Sequence, residues 1–593
     1  VNSSQEWSTR TFGNEDHLPR VPLPSVADSC ARFLEWCAPL LSAEQLAETE
    51  RAVERFLAED SPAHELQAEL ARYDGSGVRS WLDTFWPARY LGRRDRIALN
   101  ANFFFLFKDS ELGQVPRAAL LTAAAARYKV QLDGENVPPI LQRGQAQTME
   151  QNKFLFSTTR IPGADQDTVR APYGDEWPGP SPARHIVVFL RGNMFRMDVL
   201  GEDGTPYTLD DLEAGLHAIM KTGAARADTP VGHLTTKARA EWAASRQALI
   251  DSGPRNAEAL DTIESALFCV CLEDFAPTDD LHMCDQLLHG DSGNRWFDKA
   301  VSFVVFADGR AGINIEHCEL DGTTILSFTD AVLGTTAEQY AELAEPHGLP
   351  AIEPIEFALD DQQRADIGSA AAAFAEFAEN TVSRVLSFTE FGANRAKQLG
   401  MSPDGFVQMA YQLAHKRAKG TVGATYESIA TRQYQGGRTE AMRVVTPESV
   451  RFVETMDDPA ADAATRKAAF VAAAAKHVSR AKECQRGDAP EQHLWELQLI
   501  AKRRGEDPGL ALYESPGWTV MRDDYLSTSS APSVNIQYFG FGSTSSQCIG
   551  IAYVLLPDRF TIYLSTPRPV ADGMHRFADE LTAAITELEA LLA

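Results

Sequence analysis

The stretch NRWFDKAVSFVVFADGRAGINIEHCELDG, running from Asn294 to Gly322, decides how the chain is read. Ala300 to Phe306 is an apolar, β-branched run, Asp308-Gly309 is a strong hairpin turn, and Ile313 to Glu316 resumes the strand pattern. Side chains alternate along a strand, so Ile313, Ile315 and His317 are expected on one face, with Asn314 and Glu316 on the other. His317 thereby continues an apolar, inward face at the mouth of the hairpin. Cys318, Glu319 and Leu320 follow, and Asp321-Gly322 reads as a turn opening a helix through Ala331 to Leu343. An inward imidazole with a carboxylate close by is one way to present a general base. A core histidine with satisfied hydrogen bonds would read the same in this stretch alone, so the rest of the chain has to decide.

At 593 residues the chain is too long for one hydrophobic core and is expected to form at least two domains. Its 44% hydrophobic and 23% charged residues match an ordinary globular protein rather than a disordered one. A net charge of -28 argues against broad binding to nucleic acid and against docking on anionic membrane, so neither is an expected partner. The segment Val1 to Arg20 is polar and carries no apolar core of a leader, and no run is long enough to span a bilayer; a cytoplasmic protein, monomeric, is expected. The eight cysteines are scattered, and Cys30, Cys37, Cys318, Cys484 and Cys548 lie in or beside apolar runs, which fits a reducing compartment. Cys269-x-Cys271 and His282-x-Cys284 lack the spacing of a structural zinc site, so no metal is expected.

Leu18 to Pro24 is proline-rich and therefore extended, and Ser25 to Tyr73 carries apolar residues at helical spacing. From His185 the pattern turns to strands: Ile186 to Leu190, a Gly192-Asn193 turn, and Met194 to Leu200. Helices are expected over Asp210 to Thr222, Thr235 to Asp251 and Asn256 to Cys269. Pro346 to Pro354 is rich in proline and glycine and reads as a domain crossing. Beyond it the pattern predicts a long helix over Asp360 to Phe391, others over Gly405 to Lys419 and Ala460 to Lys482, and a closing helix from Met574 to Ala593. Short strands are expected over Leu510 to Thr519, Tyr525 to Ser529, Asn535 to Phe539, Ile549 to Leu556 and Phe560 to Ser565. The second half thus repeats the architecture of the first, an α/β sandwich of mixed sheet covered by helices. The domains are placed at 76–359, with the histidine, and at 1–75 plus 360–593.

The chain has no G-x-x-x-x-G-K-[ST] loop, no G-x-G-x-x-G between strand and helix, and no G-x-S-x-G elbow, so ATP, NAD and a serine nucleophile lose support. What remains is His317, the hydroxyls of Ser527-Thr528-Ser529, and the segments around Tyr426 and Thr439. Ser527 and Ser529 share a face, where one hydroxyl could donate to a developing oxyanion; a solvated strand edge would read alike. His415, Lys416, Arg417 and Lys419, with Arg395 and Lys397 before them, make a local basic cluster that would suit a phosphate-bearing ligand or simply be a solvated helix face.

Read in order, these segments resemble the choline/carnitine acyltransferase family over nearly the whole chain. The resemblance rests on Leu18-Pro19-Arg20-Val21-Pro22-Leu23-Pro24, Arg160-Ile161-Pro162-Gly163, Arg184 to Val188, Ser292 to Lys299, and His317 with Asp321-Gly322 after it. Ala424-Thr425-Tyr426-Glu427-Ser428, Gly437-Arg438-Thr439 and Leu526-Ser527-Thr528-Ser529 complete it. It implies two chloramphenicol-acetyltransferase-like domains with an active-site tunnel at their interface, acyl-CoA as co-substrate, and a small-molecule alcohol as acceptor. It further implies His317 as general base, Ser529 as oxyanion donor, and Asp321 with Arg438 as a supporting ion pair, with no acyl-enzyme. On the coenzyme side Lys397 matches one family lysine and Ala393 stands at the other; Arg395, Asp404 and Lys416 join the candidate coenzyme site. On the acceptor side, Tyr426 and Thr439 match the carnitine branch, but Gln492 precedes His493-Leu494 where that branch carries an arginine, and Ala441 replaces a threonine. The choline branch, with valine at Thr439, fits no better, so an acceptor other than carnitine or choline is expected. Gln537, two residues before Phe539 and in place of a bulky methionine, suggests a short or polar acyl group. An ordinary carnitine acyltransferase, a silent acyl-CoA-binding protein, and transfer from an acyl carrier protein are the alternatives; the last is opposed by the acidity of both partners.

Overall fold

Val301–Val305 and Ala311–Ile315 form the antiparallel hairpin that Asp308-Gly309 predicts. Gly309 has φ +89°, and a Cβ on it would meet the Leu112 carbonyl oxygen at 2.1 Å, so both conformation and space demand glycine. The strand stops at Ile315, and His317 lies in the following turn rather than on the strand face assigned to it. The opposite face is not solvated either. Asn314 and Glu316 are only 4% and 2% exposed, and Asn314 donates to the Leu287 carbonyl at the end of the Asp280–Leu288 helix, which covers that side.

The computed structural model describes residues 5–507 and 509–593. The chain divides into two units, the first comprising Val1–His17, Arg89–Ser383 and Ala531–Gly542, the second Leu18–Ala88, Arg384–Ser530 and Ser543–Ala593. These boundaries differ from 75/76 and 359/360. Pro346 to Pro354 is no crossing, because Ile352–Ile355 pairs with Asn193–Asp198 inside the first unit. Ile536–Phe541 belongs to the first unit as well, since it pairs with Phe103–Phe107 there.

The first unit holds an eight-stranded mixed sheet. Its order is Ile352–Ile355, Asn193–Asp198, His185–Leu190, Cys269–Leu272, Val301–Val305, Ala311–Ile315, Phe103–Phe107, Ile536–Phe541. The pairs either side of Cys269–Leu272 are parallel, and their flanking hairpins antiparallel. The second unit repeats this core. Thr439–Arg443 pairs antiparallel with Thr425–Ala430, Leu526–Ser530 runs parallel to both Thr425–Ala430 and Ile549–Leu555, and Phe560–Pro567 closes antiparallel. Thr381–Phe388 forms its far edge. Both cores therefore read antiparallel, parallel, parallel, antiparallel, with buried central strands that carry few polar residues in the first unit. Helices Gln114–Asp133, Leu209–Thr222 and Gly322–Gly334 pack together in the first unit, as do Pro403–Lys419, Ala463–Gln485 and Ala571–Leu592 in the second. The fold class is α/β, as expected.

Four expected elements differ. Cys269–Leu272 is a fully buried strand rather than the end of a helix, because the polar helical pattern stops at Ser265 and a CVCL run follows. Asp361–Glu379 ends at Asn380, and the β-branched run after it becomes a strand. Leu510 to Thr519 folds as a short 3-10 turn and the Pro516–Met521 helix, capped by Ser515. The helix after Asp321 breaks at Thr335-Thr336, where Thr336 caps a second one, Ala337–Leu343. All eight cysteines are free and buried. No described helix is long and apolar enough to cross a membrane.

Gly309→Ala is expected to destabilise the first unit by more than about 1 kcal/mol, because it forces both a positive φ and a clash. A thermal-shift measurement on the full chain checks this, with Gly334→Ala, which has open space around it, as the reference.

Candidate active site

In the first unit, the His317 ring packs against Phe103 at 5.0 Å and Tyr90 at 5.1 Å between centroids, and its side chain is 31% exposed. Nδ1 lies 2.7 Å from the Leu320 carbonyl oxygen and 3.6 Å from Asp321 Oδ1. A carbonyl can only accept, so Nδ1 carries a proton, and in the neutral ring the lone pair is on Nε2. This is the tautomer a general base needs. Phe539 joins the same aromatic cluster, edge-on to Phe103 and Phe105. Gln537, on the same face of its strand, donates to the Phe107 carbonyl at 2.8 Å and to Asp109 at 3.1 Å.

The turn that carries His317 is held by buried charge. Glu316 accepts from the Cys318 backbone N–H and thiol and from Arg160. Arg160 also binds Asp167 at 2.7 Å and the Tyr90 carbonyl; Asp167 pairs with Arg239, and Arg239 with Asp298. Trp242 donates to Asp298 at 2.6 Å. Burial works against the Arg160 charge, and Glu316 and Asp167 overcome it. Arg160 and Asp298 were legible as motif residues, but their role as a scaffold under the histidine was not. Lys299 is buried beside them, pushed down to about 7 by burial, and donates to the Ile263 and Glu264 carbonyls that end a helix.

In the second unit, strand alternation sorts the candidates onto two faces. Ser527 pairs with Tyr426, Tyr426 with Arg443, Ser428 with Ala441 and Ala430 with Thr439, and paired residues share a face. Ser527, Ser529, Tyr426, Thr439 and Ala441 therefore lie on one side. Gly550 and Ala552 sit opposite Ser527 and Ser529 and leave that side open. Ser529, Tyr426 and Thr439 are half-buried, while Ser527 and Ala441 are buried. The Arg443 guanidinium stands 5.5 Å from the Tyr426 ring centroid and is shared between Glu491 and Asp524. Gln492 is 1% exposed and donates to the Thr439 carbonyl at 3.0 Å. Arg438 is buried over the Trp86 ring at 5.2 Å.

The coenzyme candidates do not form the basic cluster expected. Arg395 pairs with Glu589, and Arg417 with Glu587 and Asp457. His415 is buried and pushed down to about 4 by burial, hence neutral. Lys397 is exposed on Ala393–Gln398, and half-buried Lys416 donates to the Gly420 carbonyl. The helix delivers these side chains to different neighbours, which a linear cluster conceals.

Asp404 lies instead on the back face of the second sheet with Glu427 and His477, their ligand atoms within 4.8 Å of one another. Burial and the adjacent Asp404 push Glu427 up to about 8. Burial would lower His477, but Glu427 and Asp404 raise it to about 10. Against burial, hydrogen bonds from His477, Glu427 and Tyr553 hold Asp404 down at about 2. His477 Nε2 faces both carboxyl groups, at 3.3 Å from Asp404 and 2.9 Å from Glu427, so the three groups pair as an imidazolium (His477), a carboxylate (Asp404) and a carboxylic acid (Glu427), while His477 Nδ1 has no hydrogen-bond partner among the described residues. Gln408 extends this network, donating to Tyr553 at 3.1 Å and to Thr528 at 3.0 Å, and Thr528 in turn donates to the Tyr426 carbonyl. His477 sits within an alanine-rich helix and left no local signal in the sequence.

The raised Glu427 and His477 contribute stability that is full below their ordinary values of 4.5 and 6.5 and is lost as pH rises through about 8 and about 10. Glu427→Gln, which stays neutral and takes away one of the two carboxylates that raise His477, is expected to remove the lower part of that decline and to move the remaining His477 part, now supported by Asp404 alone, to lower pH. Melting temperatures of both proteins at intervals from pH 5 to 10 check it; parallel curves would contradict it.

The choline/carnitine O-acyltransferase family model matches residues 21–583. Human carnitine O-acetyltransferase is 30% identical over 610 residues, covering 100% of this chain and 96% of that protein. Rat mitochondrial carnitine O-palmitoyltransferase 2 is 31% identical, covering 92% of this chain and 88% of that protein. Human peroxisomal carnitine O-octanoyltransferase is 32% identical, with 84% and 83% covered. A family match across nearly the whole chain, with the motif residues packed around His317 and along one face of the second sheet, makes this protein an acyltransferase of the choline/carnitine O-acyltransferase family.

Proposed function

We propose that this acyltransferase moves a short or polar acyl group from acyl-CoA to the hydroxyl of a small molecule other than carnitine or choline. His317 Nε2 takes the acceptor proton, the alkoxide oxygen attacks the thioester carbonyl, and Ser529 donates to the resulting oxyanion. Collapse breaks the C–S bond, and the imidazolium returns its proton to the coenzyme A thiolate. No acyl-enzyme forms. Asp321 and Arg438 support the histidine turn, and Lys397 and Lys416 are the cations proposed for the coenzyme phosphates.

The observation that carries the choice of acceptor is Gln492. It stands where the carnitine branch is expected to place an arginine, its amide is committed to the Thr439 carbonyl, and it is nearly inaccessible. Arg443 is a poor substitute, because Glu491 and Asp524 already neutralise it. A carboxylate at Tyr426 and Thr439 would lack its charged partner, a loss of roughly 1.5–3 kcal/mol. The polar Gln537 beside Phe539 supports a short or polar acyl group.

Thiol release from acetyl-CoA against a panel of alcohols is expected to favour acceptors without a carboxylate; saturable acylation of carnitine at micromolar KM would restore the ordinary carnitine reading. His317→Ala is expected to lower kcat by about 10²- to 10⁴-fold, and undiminished turnover would remove the base assignment. Gln492→Arg is expected to strengthen carnitine binding by at least about tenfold.

A further inference from the structure

We infer that Gln151 is a positioning residue for His317, acting through the Leu320–Asp321 peptide plane; the inference rests on His317 being the base. Gln151 lies in the Glu150–Phe154 turn of the first unit and is 6% exposed. Its carbonyl oxygen accepts from the Asp321 backbone N–H at 2.9 Å and the Thr324 hydroxyl at 2.7 Å, and its amide nitrogen donates to Asp321 Oδ2 at 2.7 Å. The backbone N–H can only donate, so the orientation of the carboxamide is determined.

The same peptide unit faces both residues. Its carbonyl, from Leu320, accepts the His317 Nδ1 proton at 2.7 Å, while its N–H, from Asp321, is gripped by Gln151. A trans peptide is planar, with C=O and N–H directed oppositely, so holding one end aims the other. Donation from the N–H also polarises the carbonyl and strengthens its hold on the imidazole proton. Gln151 acts a second time through the side chain. Asp321 is the N-cap of Gly322–Gly334 but makes no side-chain cap bond to its own helix. An N-cap aspartate ordinarily accepts from the first-turn amides. Here Gln151 holds Oδ2, and Oδ1 lies 3.6 Å from His317 Nδ1. One carboxamide therefore fixes both groups that face the proton-bearing nitrogen.

The test uses the full chain with acetyl-CoA and its best alcohol. Gln151→Met, similar in length and unable to make these bonds, is expected to lower kcat by about ten- to hundredfold, the scale of a misplaced base, with KM for acetyl-CoA within about twofold. Thr324→Val, which leaves the bond to the peptide N–H, is expected to keep kcat within about threefold. Wild-type kcat in folded Gln151→Met, or a loss matched by the fraction unfolded, overturns the inference. Should Gln151→Met not fold, Gln151→Asn decides: a tenfold or greater fall in kcat at constant KM supports it, and unchanged kcat overturns it. His317→Ala separates the two readings. Turnover by that variant removes the base assignment itself, whereas its inactivity alongside wild-type kcat in Gln151→Met removes only the role of Gln151.

Discussion

Five charged side chains with almost no access to water, Arg160, Asp167, Arg239, Asp298 and Glu316, are neutralised only with the help of the partly exposed Arg94 on Asp167, and the first unit is arranged around that requirement. A buried ion pair adds little net stability over an apolar replacement, yet removing one partner is costly, about 3–5 kcal/mol. Such a network is therefore better understood as fixing geometry. It ties segments distant in sequence, around residues 90, 160, 239, 298 and 316, to the backbone immediately before His317. The His317 ring is half-buried, and the side chains that hold its turn are closed off from solvent.

The second unit solves a different problem with the period of a β-strand. Successive residues of Thr425–Ala430 and Leu526–Ser530 alternate between an open face with Tyr426, Ser527 and Ser529 and a closed one with Glu427 and Thr528. The open face presents hydroxyls beside glycine and alanine. The closed face anchors them through Gln408, Tyr553 and the Asp404–Glu427–His477 group. Because both sets ride on the same two strands, rigidity beneath the sheet is passed to the groups above it without a side chain crossing between faces.

Much of the outline was legible from local pattern. The Asp308-Gly309 hairpin, the helix Pro403–Lys419, the strands near Ser527, Ile549 and Phe560, and the repeated architecture all follow from turn chemistry and hydrophobic period, whereas the strand pair carrying Tyr426 and Thr439 was not legible in it. Local pattern misleads where one period runs directly into another. Cys269–Leu272 follows a helix across three residues, and Thr381–Phe388 follows one across a single asparagine, too little sequence for the change of period to register.

By itself the sequence determined the family, the identity of His317, Ser529, Tyr426 and Thr439 as candidates, and the replacement of an expected arginine by Gln492, since these depend on residue type and order. Only the tertiary structure decided which charges remain available. Arg395 and Arg417 are neutralised by Glu589, Glu587 and Asp457, and Asp404 is turned toward His477, because partners far away in the chain reach them across the fold. The same holds for Gln151, separated from Asp321 by 170 positions. No spacing rule connects them, and their contact exists only once the strands and helices between them have packed.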